Sequence, residues 1–131
     1  MACLNDIAAA LAVGGYQLNT RALSSATANA GELTGSGLVI MTNTGGTPGT
    51  YTTRTPAQMI ADSNLVVGQT WFLILANNQG TGTLTLGAGS GASVGGTATV
   101  AANTARLFTG VVNSLTLITF TGLALAWTSA V

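Results

Sequence analysis

Trp71-Phe72-Leu73-Ile74-Leu75-Ala76, then Asn77-Asn78-Gln79-Gly80, then Thr81-Gly82-Thr83-Leu84-Thr85-Leu86-Gly87 is the passage that decides the fold class. The apolar run is short, bounded by turn residues, and of a length that suits a strand buried on both faces. Asn-Asn-Gln-Gly turns the chain. The following segment alternates, with Thr81, Thr83 and Thr85 on one face and Leu84 and Leu86 on the other. The same pattern continues outward in both directions. Gly37-Leu38-Val39-Ile40-Met41 reads as a strand ahead of the passage, and Tyr51-Thr52-Thr53 as a short extended piece. Behind it come Val94, Thr97-Ala98-Thr99-Val100, Arg106 to Val112, Leu115 to Thr121, and Leu123 to Trp127 after Gly122. Short strands separated by regular turn signals predict an all-β sandwich or barrel.

Two segments read differently. Thr55 is a helix N-cap, Pro56 occupies the first helical position, and Gln58 follows the cap by three, which is a capping box. Met59, Ile60 and Leu65 give this helix an apolar side, and it ends near Ser63-Asn64, so a short helix is expected near residues 55–63. At the start of the chain, residues 3–15 read as a second short helix. Asn5 caps it, Asp6 places negative charge in its first turn, and Gly14-Gly15 end it. Ile7, Ala8 and Leu11 share one side. A helix this short is marginal alone in water, so it must dock on its own core or on a neighbour. Residues 16–35 are weakly patterned, and Ser24 to Gly35 reads as an extended arm or loop. The pattern changes at Ser36, which divides the chain into an N-terminal helical and extended arm, 1–35, and a β-sandwich domain, 36–131.

Charge excludes most chemistry. The 131 residues include three acids, three arginines, no lysine and no histidine. The charged share is 5%, against about 25% in an ordinary globular protein. A nucleophilic serine or threonine needs a base beside it, and no imidazole or amine side chain exists here to serve. Scattered acids and the lone Cys3 make a poor metal-ligand set; Cys3 reads as a small buried apolar residue. Three arginines far apart announce no phosphate-binding patch and no polybasic membrane-surface segment. Asp6 stands where a signal peptide would carry positive charge. Mean hydropathy is +0.53, but polar residues interrupt the uncharged stretch 111–131, against a membrane-spanning helix. The expectation is a non-enzymatic protein without cofactor, metal, nucleic acid, membrane or small-molecule substrate. Its uncharged surface, at net charge zero, favours association with other protein.

Four local signals remain. Gly87-Ala88-Gly89-Ser90-Gly91 lacks the lysine and following helix of a phosphate loop, and reads as a hairpin connection. The Thr81/Thr83/Thr85 and Thr97/Thr99 pairs form a hydroxyl ladder that resembles an ice-binding surface and equally any solvent-facing sheet; no fixed repeat period supports a solenoid. Trp71 and Trp127 are core or interface anchors. Arg106 is either a surface residue at a strand entry or a subunit contact, with Asp62 or Glu32 as possible partners.

From Tyr51 to Phe108 the order Thr-Pro-Ala-Gln-Met-Ile-Ala (55–61), Val-Val-Gly-Gln-Thr-Trp-Phe-Leu-Ile-Leu-Ala-Asn (66–77), Gly-Thr-Gly-Thr-Leu-Thr-Leu-Gly-Ala-Gly-Ser-Gly (80–91) and Gly-Thr-Ala-Thr-Val-Ala-Ala-Asn-Thr-Ala-Arg-Leu-Phe (96–108) resembles a β-rich module of tailed-bacteriophage structural proteins, in capsid decoration (cement) proteins and in head or tail fibres. The last piece departs from the pattern, with Thr104 and Ala105 between Asn103 and Arg106. The resemblance covers a little under half of the chain and leaves residues 1–50 outside it. It implies a jelly-roll-like β-sandwich that assembles as a homotrimer on the outer face of an icosahedral head, in contact with the major capsid protein. Residues 1–35 would then grip the shell or an adjacent subunit. Leu4, Ile7, Leu11, Tyr16, Arg21, Trp71, Arg106 and Trp127 are the candidate subunit or capsid contacts. A fibre or spike domain recognising a host glycan, and an ice- or surface-binding threonine-ladder protein, are the alternatives.

Overall fold

The computed structural model describes residues 16–35 and 37–128. Among the described residues, ten strands and one helix form an all-β, sandwich-like fold of two sheets. The strands are β1 (Tyr16–Arg21), β2 (Ala26–Thr27), β3 (Leu38–Asn43), β4 (Thr50–Thr52), β5 (Thr70–Asn77), β6 (Leu84–Gly87), β7 (Ala92–Gly96), β8 (Thr99–Val100), β9 (Thr104–Ser114) and β10 (Leu117–Thr128); the helix, α1 (Pro56–Ser63), lies between β4 and β5. The large sheet runs β1-β3-β5-β9-β10-β7 and the small one β2-β4-β6-β8.

The chain alternates between the sheets. β1, β3 and β5 enter the large sheet in turn, each parallel to the last, and β2, β4 and β6 do the same in the small sheet. The first part of the molecule is thus a flattened coil, each winding laying one strand in each sheet. The windings differ in length: Tyr16 pairs with Leu38, 22 residues on, but Leu38 pairs with Phe72, 34 residues on. The connection through α1 lengthens the second winding, which is why no fixed period shows in the sequence. Antiparallel strands follow in both sheets, β9 against β5, β10 against β9, and β8 against β6, and β7 joins β10 in parallel at the far edge of the large sheet. A jelly roll is antiparallel, whereas five of the eight ladders here are parallel, so the jelly-roll strand order receives no support.

Residues 16–35 do not stand off as an arm, which corrects the boundary expected at Ser36. β1 and β2 belong to the two sheets, and Leu23, Ala28 and Leu33 are buried in the main core. Their pattern is weak because β2 has two residues and β1 turns its polar side inward. The helical expectation for residues 3–15 falls outside the described residues.

The main core lies between the sheets. Val39, Met41, Leu73, Leu75, Phe108 and Phe120 from the large sheet meet Tyr51, Leu84, Leu86 and Val100 from the small one, with Met59 of α1 and Leu65 closing a side. Trp71 sits among them, 2% exposed, edge-on to Phe120 at 5.6 Å between ring centroids. Its indole N–H donates to the Leu33 carbonyl at 2.8 Å, which answers the indole's need for a partner once buried. Gly110 lies under the ring, where a Cβ would stand 2.5 Å from Trp71 Cε2. Helix α1 starts as its sequence predicts. The Gln58 N–H donates to Thr55 Oγ1 at 3.3 Å and the Thr55 N–H to Gln58 Oε1 at 3.1 Å. Asn64, at φ 50°, ends it in the left-handed conformation.

At one end of the large sheet the turns are held by two fully buried asparagines, in register on β3 and β5. Asn43 Oδ1 accepts from the Leu23 N–H at 2.9 Å and the Gly46 N–H at 3.3 Å. Asn77 Nδ2 donates to the carbonyls of Gly82 and Val100, both at 3.1 Å. These amides satisfy backbone groups where the chain leaves one sheet for the other, and buried polar groups require such partners.

Candidate functional site

The surfaces, rather than a cleft, distinguish this molecule. Side chains of β3, β5 and β9 that face away from the main core form a second apolar cluster on the outer side of the large sheet: Leu38, Ile40, Ile74, Ala76 and Ala105, each 5% exposed or less, with Leu107 packed beside them. The register extends this face to the edge strand. Tyr16, Leu38 and Phe72 share one rung, Leu18, Ile40, Ile74 and Leu107 the next, and Thr20, Thr42, Ala76 and Ala105 the third. Tyr16, Leu18 and Phe72 are 46%, 59% and 50% exposed.

β1 explains the arrangement. Its sequence, Tyr-Gln-Leu-Asn-Thr-Arg, alternates strictly. The polar residues point inward and clamp the loop behind them: Gln17 Nε2 donates to the Gly31 carbonyl, and Asn19 Nδ2 to the Glu32 carbonyl at 3.1 Å. Tyr16, Leu18 and Thr20 are left facing outward, which puts the strand's two large apolar side chains outside, the reverse of an ordinary half-buried edge strand.

Every charged residue among the described residues is engaged within the subunit. Arg21 Nη1 donates to Glu32 Oε1 at 2.7 Å and Nη2 to the Thr27 carbonyl at 3.1 Å. The same carboxylate oxygen accepts from the Tyr51 hydroxyl at 2.9 Å and the Asn29 N–H at 2.6 Å. The guanidinium carbon lies 5.8 Å from the Tyr51 ring centroid. Burial first, then the negative charge of Glu32, pushes the Tyr51 hydroxyl far above its ordinary value, against a smaller opposing pull from Arg21. It therefore stays a proton donor. Arg54 pairs with Asp62, Nε to Oδ2 at 2.8 Å. The crevice beside that pair, bordered by Ala28, Leu33, Thr34 and Met59, is too narrow to admit water.

Arg106 pairs with neither Asp62 nor Glu32. Its Nε donates to the Thr99 carbonyl at 2.7 Å, and Nη1 to the carbonyls of Leu123 and Ala124 at 2.6 and 3.1 Å. These last two lie where β10 slips register against β9, between Gly122 and Ala126. Arg106 thereby ties both sheets to an irregular strand. Gly122 is required there, since a Cβ would collide with the Thr97 carbonyl oxygen.

Of the sequence candidates, Tyr16 is exposed on the apolar face, Arg21 is held in the Glu32 network, Trp71 is in the core, and Arg106 is bonded to backbone. Trp127 lies on β10, where its backbone pairs with Ala105 of β9. Leu4, Ile7 and Leu11 lie outside the described residues. On the apolar face, Leu18 and Phe72 are exposed residues that sequence reasoning missed. The strict alternation through β1 was the available signal for Leu18.

The outer side of the small sheet differs. Thr50, Thr85 and Thr99 sit in register across β4, β6 and β8, and Thr27 pairs with Thr52 across β2 and β4. The sequence placed the ladder at Thr81, Thr83 and Thr85 and at Thr97 and Thr99, of which Thr85 and Thr99 are in the row. In the structure Thr81 and Thr83 precede β6, and the row is assembled from three strands.

Among the described residues no group of three or more His, Cys, Asp or Glu is placed to hold a metal ion, and no helix is long and apolar enough to cross a membrane. Compared with family models, curated proteins and solved structures, the chain matches none. The phage-module resemblance of residues 51–108 therefore stands on its sequence segments alone.

Proposed function

We propose that this chain is a structural subunit of a virion, a capsid decoration protein that assembles as a trimer on the outer face of an icosahedral phage head, against the major capsid protein. The observation that carries the assembly part is the apolar outer face bearing exposed Tyr16, Leu18 and Phe72, on a subunit whose described charges are all bonded internally. Apolar burial contributes roughly 25 cal/mol per Å² removed from water, and repetition over many copies multiplies it. The virion part is supported by the sequence resemblance. Contacts with so little charge have little for salt to screen, so attachment to expanded heads should survive molar salt.

Sedimentation of the full chain tests the assembly reading. A compact trimer is expected, and Leu18→Asp with Phe72→Asp should convert it to monomer. A dilute-stable monomer, or release from heads by salt alone, would overturn the reading.

The Thr50–Thr85–Thr99 row favours one second reading, adsorption to a regular hydroxyl-matching surface such as ice. A thermal hysteresis assay decides it, and wild-type protein without hysteresis removes it.

A further inference from the structure

The two ends of the large sheet differ. At the end where β5 begins, Val66, Val67, Leu115 and Leu117 are each 40% exposed or more. At the opposite end, the turns 44–49, 78–83 and 101–103 hold no exposed large apolar side chain. The four aliphatic residues sit on two neighbouring turns. Val66 to Gln69 closes on itself, the Gln69 N–H donating to the Val66 carbonyl at 3.0 Å, with Gly68 at φ 90°, a turn conformation that favours glycine. The Gly68 N–H donates to the Val112 carbonyl at 2.8 Å, which fastens this turn to β9. From Val112, β9 runs on for about 10 Å and reverses into β10 at Leu115-Thr116. We propose that the two turns form an apolar tip that dips into the surface of an uncharged lipid bilayer.

Neither turn holds a charged residue. Each meets polar needs of its own backbone: the Val66 N–H donates to Gln69 Oε1 at 3.1 Å, and the Thr116 N–H to Ser114 Oγ at 3.2 Å. A backbone group carried out of water costs free energy unless it is hydrogen-bonded, so these bonds ease the tip's removal from water. Size and shape choose the occupant. Four such side chains present an apolar patch of a few hundred Å², well under the roughly 800 Å² per partner of a standard protein interface. They stand on protruding turns, and a bilayer needs no complementary surface. The sequence expectation of no membrane contact rested on missing basic residues and a missing spanning helix; a neutral tip needs neither. The four side chains carry about as much hydrocarbon as one myristoyl chain, which holds a protein to a bilayer only marginally, at about 10⁴ M⁻¹. Attachment is therefore weak, reversible and, with no cation in either turn, indifferent to anionic lipid. The inference does not depend on the virion reading.

Flotation of the full chain with phosphatidylcholine vesicles at millimolar lipid tests it. The wild type should float with the vesicles, and failure to float overturns the inference. Val67→Asp with Leu115→Asp should weaken binding at least tenfold; both positions are exposed, so the fold should survive, which circular dichroism checks. Unchanged flotation of this variant would put the lipid contact elsewhere, and a changed sedimentation coefficient without lipid would make the tip a contact between copies; either result overturns the inference. Val67→Trp gives a readout that does not depend on stability. Brominated phosphatidylcholine should quench its fluorescence well beyond that of the wild type, whose Trp71 is buried, and equal quenching contradicts the inference.

Discussion

The two outer faces of this sandwich are opposites. The large sheet turns Leu38, Ile40, Ile74 and Ala76 away from the main core and buries them; the small sheet turns out Thr50, Thr52, Thr85 and Thr99. Both sheets are wound by the same passage of chain, and both grow by parallel addition. The difference is therefore one of side chains and not of topology. Apolar outward residues make the large sheet an inner layer in search of a third, while hydroxyls make the small sheet a boundary. Threonine serves there because it fits a pleated surface and tolerates water.

Substitutions on the shared core, the apolar face and the threonine face should rank accordingly. Trp71→Ala strips the layer common to both sheets and should cost about 3–5 kcal/mol, read by denaturant unfolding. Ile74→Thr should cost about 2–3 kcal/mol, through lost packing and a buried hydroxyl. A cost under half a kilocalorie would mean that the large sheet's outer face is solvent-exposed after all. Arg106→Ala should cost about 1–2 kcal/mol, because carbonyls of β8 and β10 lose a charged donor.

Tyr51→Phe sharpens the picture on the inner side of the small sheet. It removes the hydroxyl's bond to Glu32, about 1 kcal/mol at neutral pH. Because the folded tyrosine's pKa is raised, its contribution is fully present below the unfolded value of about 10 and declines as pH rises above it. Wild-type unfolding followed from pH 9 to 12 should show that decline, and the phenylalanine variant should show much less of it. Thr85→Val, at the centre of the threonine row, should change stability by no more than about 0.5 kcal/mol. A loss as large as that of Ile74→Thr would erase the contrast between the faces.

Strand content after Ser36 and the capping box of α1 were legible because they are local: alternation, turn residues, Thr55 with Gln58. The parallel windings were not, since their partners stand 22 and 34 residues apart and α1 breaks the period. β1 escaped notice because its alternation, Tyr-Gln-Leu-Asn-Thr-Arg, carries no long apolar run. Gly122 read as a strand end, yet β10 continues through it, since Arg106 bonds the carbonyls freed by the register slip. Leu84 and Leu86 were assigned together correctly, facing the core. Of the candidate contacts, Trp71 satisfies the core half of its dual reading. Phe72 hid inside the run that marked the strand, because a neighbour's exposure is set by the sheet face and not by composition.

The antiparallel strands β9 and β8 have a consequence for assembly. A parallel coil offers its last strands as a template for further chain, and stacked copies of such a coil would polymerise end to end. Here β9 interrupts the parallel series after β5, and β8 does so after β6, each running against the direction of winding, while β7 is the outer strand of the large sheet. The molecule is a coil with a stopper. Its thickness is set by how many windings precede the stopper, so an inserted winding upstream of β5 would lengthen the particle while leaving its terminus intact.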